Sequence, residues 1–263
     1  MIETTFEDNL LLVTLNRPEK RNALTLEMLQ LLASAVEQAD SHPEVRAIIL
    51  SGAGPVFSAG VDLMGLMQAR MEAGAQNPAR WLRRLAGEMQ RCLNTLEETE
   101  VPVIAALQGR VIGLGLELAL ACDLRVAADD LRLSIPEARL GLVADVGGTT
   151  RLTRLIGPGR AKDMLMTARE VGAQEALSWG LINRTVPANE LRESAIALAQ
   201  QIAQNAPLAV GLAKLIVDQG HGMDKHSQMA IERWAQSQLI TTGDLAEAMA
   251  AFAEKRPPTF SGL

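Results

Sequence analysis

Apolar positions along the chain alternate between two spacings, and that alternation predicts the order of its elements. Residues 10–15, Leu-Leu-Leu-Val-Thr-Leu, form an apolar run that stops at Asn16-Arg17-Pro18. With the Glu7-Asp8-Asn9 turn before it, the run predicts a hairpin with residues 2–6. Thr25 is placed as a helix cap, and from Leu26 to Ala39 apolar residues recur at the spacing of one helix face. Residues 45–50 read as a buried strand closed by Ser51-Gly52-Ala53-Gly54-Pro55. The pattern then repeats as an amphipathic helix over 79–98, a strand over 101–107, a short apolar helix over 116–121 and a strand over 123–128. Strand and helix alternating over about the first 190 residues predict an α/β core with parallel pairing.

From Asn189 onward the pattern is helical only, broken at Pro207 and Gly220-His221-Gly222 and ended by Pro257-Pro258. This change divides the chain into a core, residues 1–190, and a C-terminal helical subdomain, residues 191–263, suited to association between subunits. Residues 65–80, with Gly65, Gly74 and Pro78, read as a mobile insertion beside a glycine loop, where substrate-binding segments tend to occur.

Composition narrows the functions this pattern can serve. Hydrophobic residues make up 48% of 263, ample for a core. A net charge of −6 without a long basic cluster argues against nucleic acid or an anionic membrane as partner and leaves small molecules. The acidic start, Met1 to Asp8, is unlike a secretion signal, and no apolar run is long enough to span a bilayer, so the expectation is a soluble, cytoplasmic protein. Cys92 and Cys122 lack metal-ligand spacing and read as buried thiols, and His42, His221 and His226 lie in polar surroundings that do not suit a metal centre.

Two glycine-bearing loops carry the first candidate chemistry. Phe57-Ser58-Ala59-Gly60-Val61-Asp62-Leu63 and Gly109-Arg110-Val111-Ile112-Gly113-Leu114-Gly115 each lie between a predicted strand and a predicted helix. Free N–H groups at helix starts point at developing negative charge, so the loops could supply two donors to one oxygen; ordinary tight turns are the alternative. Gly113-x-Gly115 does not continue as a dinucleotide fingerprint, because Leu118 takes the third glycine position and the motif lies mid-chain. Three acids stand in apolar, glycine-rich surroundings: Glu117 in the first turn of a short helix, Glu137 after Ile135-Pro136, and Asp145 in Gly141-Leu142-Val143-Ala144-Asp145-Val146-Gly147-Gly148. Each glutamate either complements a helix dipole or trades protons with a raised pKa, and Asp145 either caps the helix carrying Arg151 to Ile156 or joins that chemistry.

The motifs together resemble the crotonase (enoyl-CoA hydratase/isomerase) superfamily. They are Asn16-Arg17-Pro18 with Arg21-Asn22-Ala23-Leu24, Phe57 to Asp62, Val101 to Ala106, Gly113 to Leu118 with Ala121-Cys122-Asp123, Pro136-Glu137, Gly147-Gly148 with Arg151-Leu152, and Glu254 to Pro257. The resemblance implies a spiral of ββα repeats, a C-terminal helical region that assembles trimers or hexamers, an acyl-CoA thioester substrate and no metal or redox cofactor. It implies backbone N–H donors at Val61 and Leu114, the latter replacing a usual glycine, with Ser58, Ala59, Gly60, Asp62 and Gly113 lining the substrate site and Arg17 and Arg21 as candidates for phosphate contacts. Glu117 and Glu137 match the hydratase pair that positions a water for syn addition to a trans-2-enoyl-CoA, a reaction of fatty acid β-oxidation. Asp145, in Leu142 to Gly147, with Phe57 to Met64 and Trp81-Leu82-Arg83, looks instead like the dienoyl-CoA isomerase branch, which carries Asp at the position of Glu117. That leaves 3,5-dienoyl to 2,4-dienoyl isomerisation through Asp145 as the alternative.

Two other classes are weaker. A serine hydrolase built on Ser58 has no histidine near a core loop. A non-catalytic acyl-CoA- or RNA-binding relative would not need both glutamates, and the acidic balance with three Trp, four Phe and no Tyr does not suit RNA.

Overall fold

The computed structural model describes residues 1–74 and 77–263. Along the chain, β1 (Ile2–Glu7) and β2 (Leu10–Leu15) lead to α1 (Leu26–Asp40), β3 (Ala47–Gly52), α2 (Leu63–Glu72), α3 (Pro78–Glu98), β4 (Val103–Leu107), β5 (Arg110–Ile112) and α4 (Leu114–Ala121). Then come β6 (Leu124–Ala128), β7 (Arg132–Ser134), α5 (Gly148–Thr167), β8 (Val171–Gly172), α6 (Ala173–Trp179) and β9 (Arg184–Val186), followed by the helices α7 (Leu191–Ala203), α8 (Pro207–Gly220), α9 (Lys225–Leu239) and α10 (Gly243–Glu254).

The hairpin forms because Asp8 and Asn9 both accept positive φ, the backbone that a two-residue hairpin turn needs. Beyond it the main sheet runs β1-β2-β3-β4-β6-β9, parallel from β2 onward, and a smaller sheet runs β5-β7-β8. Successive turns of the chain place one strand in each sheet before a helix, as in β4, β5, α4 and again β6, β7, α5. The central strands are buried on both faces, which is why they read as continuous apolar runs. Ile48, Leu50, Val103 and Ala105 face Met28, Leu32, Leu93 and Leu96 of α1 and α3, while the alternate residues Ile49, Ile104 and Val126 face Leu191, Ala195 and Leu198 of α7.

Several boundaries differ from expectation for identifiable reasons. Val45 and Arg46 stay outside β3, because Arg46 N–H donates to Asn9 O in the loop ahead of the ladder. The glycine loop after β4 contains a strand, since Arg110 to Ile112 pair with Arg132 to Ser134. Most of the stretch 65–80 is not a loop: Asp62 caps α2 by accepting from Gly65 N–H, and Asn77 caps α3 in the same way at Arg80. Residues 75 and 76 of that stretch lie outside the described residues. Among the described residues no helix is long and apolar enough to cross a membrane.

Candidate active site

The loop after β3 is built on a buried side chain, Asn22, whose Oδ1 accepts from Arg17 N–H while its Nδ2 donates to Ala53 O and Val56 O. Ser58 continues this scaffold: its Oγ donates to Asn22 O (2.9 Å) and accepts from Gly60 N–H (3.1 Å). The loop is tied to β5 through Ser58 N–H to Arg110 O and Ile112 N–H to Ser58 O. On its other side Leu24 N–H donates to Gly60 O (2.7 Å) and Asp62 N–H to Leu24 O (2.8 Å). This pattern skips Val61, whose N–H has no acceptor among the described residues. Leu114 is the first residue of α4, where helical bonding leaves N–H groups free, and it too has no acceptor among them. A Cβ placed on Gly60 would lie 3.7 Å from the Leu114 nitrogen, so the two loops and their free donors sit side by side.

The acids gather around the second loop. Gly113, the N-terminal cap of α4, accepts from Glu117 N–H through its carbonyl (3.0 Å), and a methyl on it would overlap Glu137 Oε1. Gly113 therefore sits between the backbone of one glutamate and the carboxyl of the other. Glu117 is only 2% exposed, and its Oε1 accepts from Val146 N–H (2.9 Å) and Gly148 N–H (2.7 Å). Burial pushes its pKa up to about 7 against the pull of those donors, with the charges of Glu137 and Asp145 adding to the rise. Glu137 opens a 3-10 turn, Glu137–Leu140, and its Oε2 is buried with no hydrogen-bond partner among the described residues. Burial raises its pKa as well, and the charge of Asp145 adds to it.

Asp145 lies at the rim of this cluster, where desolvation lifts its carboxyl above the usual range. It does not cap α5; that position belongs to Gly147, at φ +105, because the chain turns two residues later than the spacing suggests. Ser58 is fully buried with both hydrogen bonds of its Oγ made inside the chain, so its side chain supports the loop from within. Asp62 is likewise committed, holding Gly65 N–H and pairing with Arg17 at 3.2 Å, and both partners keep its carboxyl below the usual range. Arg17 is occupied by Asp62 and Ala23 O, whereas Arg21 projects to solvent.

The groups of the rival classes are elsewhere. His42, His221 and His226 are all exposed. Burial pushes the Cys122 thiol up to about 12, which keeps it protonated, and Cys92 is half-buried rather than enclosed. No cluster able to hold a metal occurs among the described residues.

The arrangement has counterparts of known family. Residues 5–262 match the family model described as enoyl-CoA hydratase/isomerase. The chain belongs to the enoyl-CoA hydratase/isomerase family. The short-chain-enoyl-CoA hydratase of Clostridium acetobutylicum is 37% identical over 95% of this chain and 93% of that protein. The human mitochondrial enoyl-CoA hydratase domain-containing protein 2 is 41% identical over 95% of this chain and 85% of the other. A crystal structure of enoyl-CoA hydratase from Bacillus anthracis superposes with a TM-score of 0.92 at 36% identity, covering 100% of this chain and 99% of that one. In this member of the family the residues that sequence reasoning left without a role are Asn22, Gln90, Asn94, Glu97 and Arg151. All but Gln90, Asn94 and Glu97 sit inside motifs that the resemblance rests on; those three stand on a helix whose periodicity signalled only its apolar side.

Proposed function

We propose that this enzyme adds water in syn fashion across the double bond of a trans-2-enoyl-CoA thioester. The observation that carries this is the meeting of two acids at Gly113, the buried Glu117 and the half-buried Glu137 with its enclosed Oε2, beside two backbone N–H groups that have no acceptor among the described residues. The thioester oxygen accepts from the N–H groups of Val61 and Leu114, which stabilise the enolate as charge moves onto that oxygen. One carboxylate takes a proton from water as its oxygen bonds to the β-carbon, and the other acid delivers its proton to the α-carbon. Both act from one side of the substrate, which gives syn addition. The proton that the first carboxylate gains from water balances the one that the other acid gives to the α-carbon, and the cycle closes when that proton passes back between the two acids, with no redox change and no reactant beyond water and the thioester. It requires the pair to hold one proton between them, which like charges in a desolvated site favour. Arg21, exposed beside the loop to which its carbonyl is bonded, is a candidate for contact with a CoA phosphate.

A second reading, dienoyl-CoA isomerisation, rests on Asp145, whose charge reaches both glutamates. A panel of 2-enoyl-, 3-enoyl- and 3,5-dienoyl-CoA thioesters separates the two. Hydration of the 2-enoyl substrate is expected to dominate, and to survive in Asp145→Asn. Faster isomerisation of the dienoyl substrate, lost in Asp145→Asn, would replace the hydratase reading with the second one.

A further inference from the structure

The two N–H groups that hold Glu117 come from a loop, residues 145–148, that is gripped from behind. Gln90 Nε2 donates to Asp145 O (2.6 Å), the carbonyl of the same peptide unit whose N–H, that of Val146, donates to Glu117. That peptide plane is therefore bonded at both ends, and donation into its carbonyl polarises its N–H toward the carboxyl. The next plane is fixed by Arg151, whose Nη1 donates to Val146 O (3.0 Å). Arg151 is itself clamped: Nε donates to Glu97 Oε1 (2.8 Å), and Nη2 to Glu97 Oε2 (2.6 Å) and Asn94 Oδ1 (2.7 Å). Gln90, Asn94 and Glu97 stand at helical spacing on one face of α3, next to the face that buries Met89, Leu93 and Leu96. The glycines complete the fit. A side chain on Gly147 would run into the Arg151 guanidinium, and one on Gly148 would lie 2.9 Å from Glu117 Oε1.

We propose that Gln90 and Arg151, the latter held by Asn94 and Glu97, are positioning residues that aim the Val146 and Gly148 N–H groups at Glu117 and so fix the orientation of its carboxyl. Neither Gln90 nor Arg151 acts on the substrate in this scheme; each works through the loop. The charged groups facing Glu117 are Glu137 from its 3-10 turn and Asp145 from the loop, while the Arg151–Glu97 pair lies behind the loop. Loosening the loop weakens the two donors that favour the ionised carboxyl and leaves burial and both neighbouring acids in place. The Glu117 pKa then rises. The inference rests on the hydratase reading only for its kinetic consequence.

The test is a carbon-13 carboxyl titration of Glu117, assigned through its absence in Glu117→Gln, in the wild-type protein, Gln90→Ala and Arg151→Gln. Both variants should move the midpoint up by about one pH unit. In crotonyl-CoA hydration kcat should fall about tenfold or more with KM changed by less than about twofold, and the basic limb of kcat/KM should move up with the midpoint. A folded variant with an unmoved midpoint overturns the inference, because a purely structural role lowers the melting temperature without touching the titration. Gln90 is exposed, so its variant decides the matter if Arg151→Gln does not fold. A wild-type enzyme that hydrates no enoyl-CoA would overturn the hydratase reading and leave the titration to judge the positioning residues on its own.

Discussion

At Gly113 the backbone adopts φ +50 and ψ −121, and a methyl would meet Glu137 Oε1. Gly113→Ala therefore combines backbone strain with displacement of Glu137, one of the two acids of the proposed mechanism. We expect it to lower crotonyl-CoA hydration about a hundredfold in protein whose circular dichroism spectrum is retained. Glu117 makes a different prediction. Its folded-state pKa is raised from 4.5 to about 7, so the stability linked to its neutral form is present below about pH 4.5 and is lost as pH rises through about 7. At about 1.4 kcal/mol per pH unit, the ionised buried carboxyl costs about 3 kcal/mol above that pH. Glu117→Gln keeps an oxygen for the Val146 and Gly148 N–H groups and removes the charge. In melts at about pH 5 and about pH 8, its stability relative to the wild type should improve at the higher pH; an unchanged difference would mean that Glu117 does not titrate there. Glu117 and Glu137 were visible in the sequence because an acid in an apolar, glycine-rich run is conspicuous. The partners of Glu117 in the loop at residues 145–148 were not, because backbone donors leave no mark on composition.

Among the elements, α4 shows the same division. Its apolar run and Gly113 predicted a helix over 116–121, and the structure begins it at Leu114, the turn where the free N–H group sits. Its other end depends on Arg125, a buried residue of β6 whose Nη1 donates to Ala119 O and Cys122 O and whose Nε donates to Leu181 O. Nothing in the spacing marked Arg125, since a charged residue in a strand reads as solvent-facing until its partners are known. Arg125→Met should cost roughly 2–4 kcal/mol in urea unfolding, because it strands three buried carbonyls. The strands were legible from apolar runs and the helices from caps such as Thr25, but α2 was missed because its apolar residues Met64, Met67 and Met71 face outward and give no core periodicity.

For the whole molecule, the C-terminal helices leave apolar surface uncovered. Within the chain α9 buries Ala235, while Trp234 is 59% exposed and Phe252 of α10 is 84% exposed. A helix of that length gains its stability from packing an apolar face, so this surface is where the trimer or hexamer implied by the family resemblance is expected to form. Sedimentation of Phe252→Asp should show smaller species than the wild type; an unchanged wild-type oligomer would place the interface elsewhere. The central claim, that a glutamate pair adds water to an enoyl-CoA beside two backbone donors, is tested most directly by the steady-state hydration rate of crotonyl-CoA with Glu117→Gln and Glu137→Gln. The account predicts that the wild-type enzyme hydrates this substrate and that each folded variant loses about a hundredfold or more in kcat. Near wild-type turnover by either variant would contradict it.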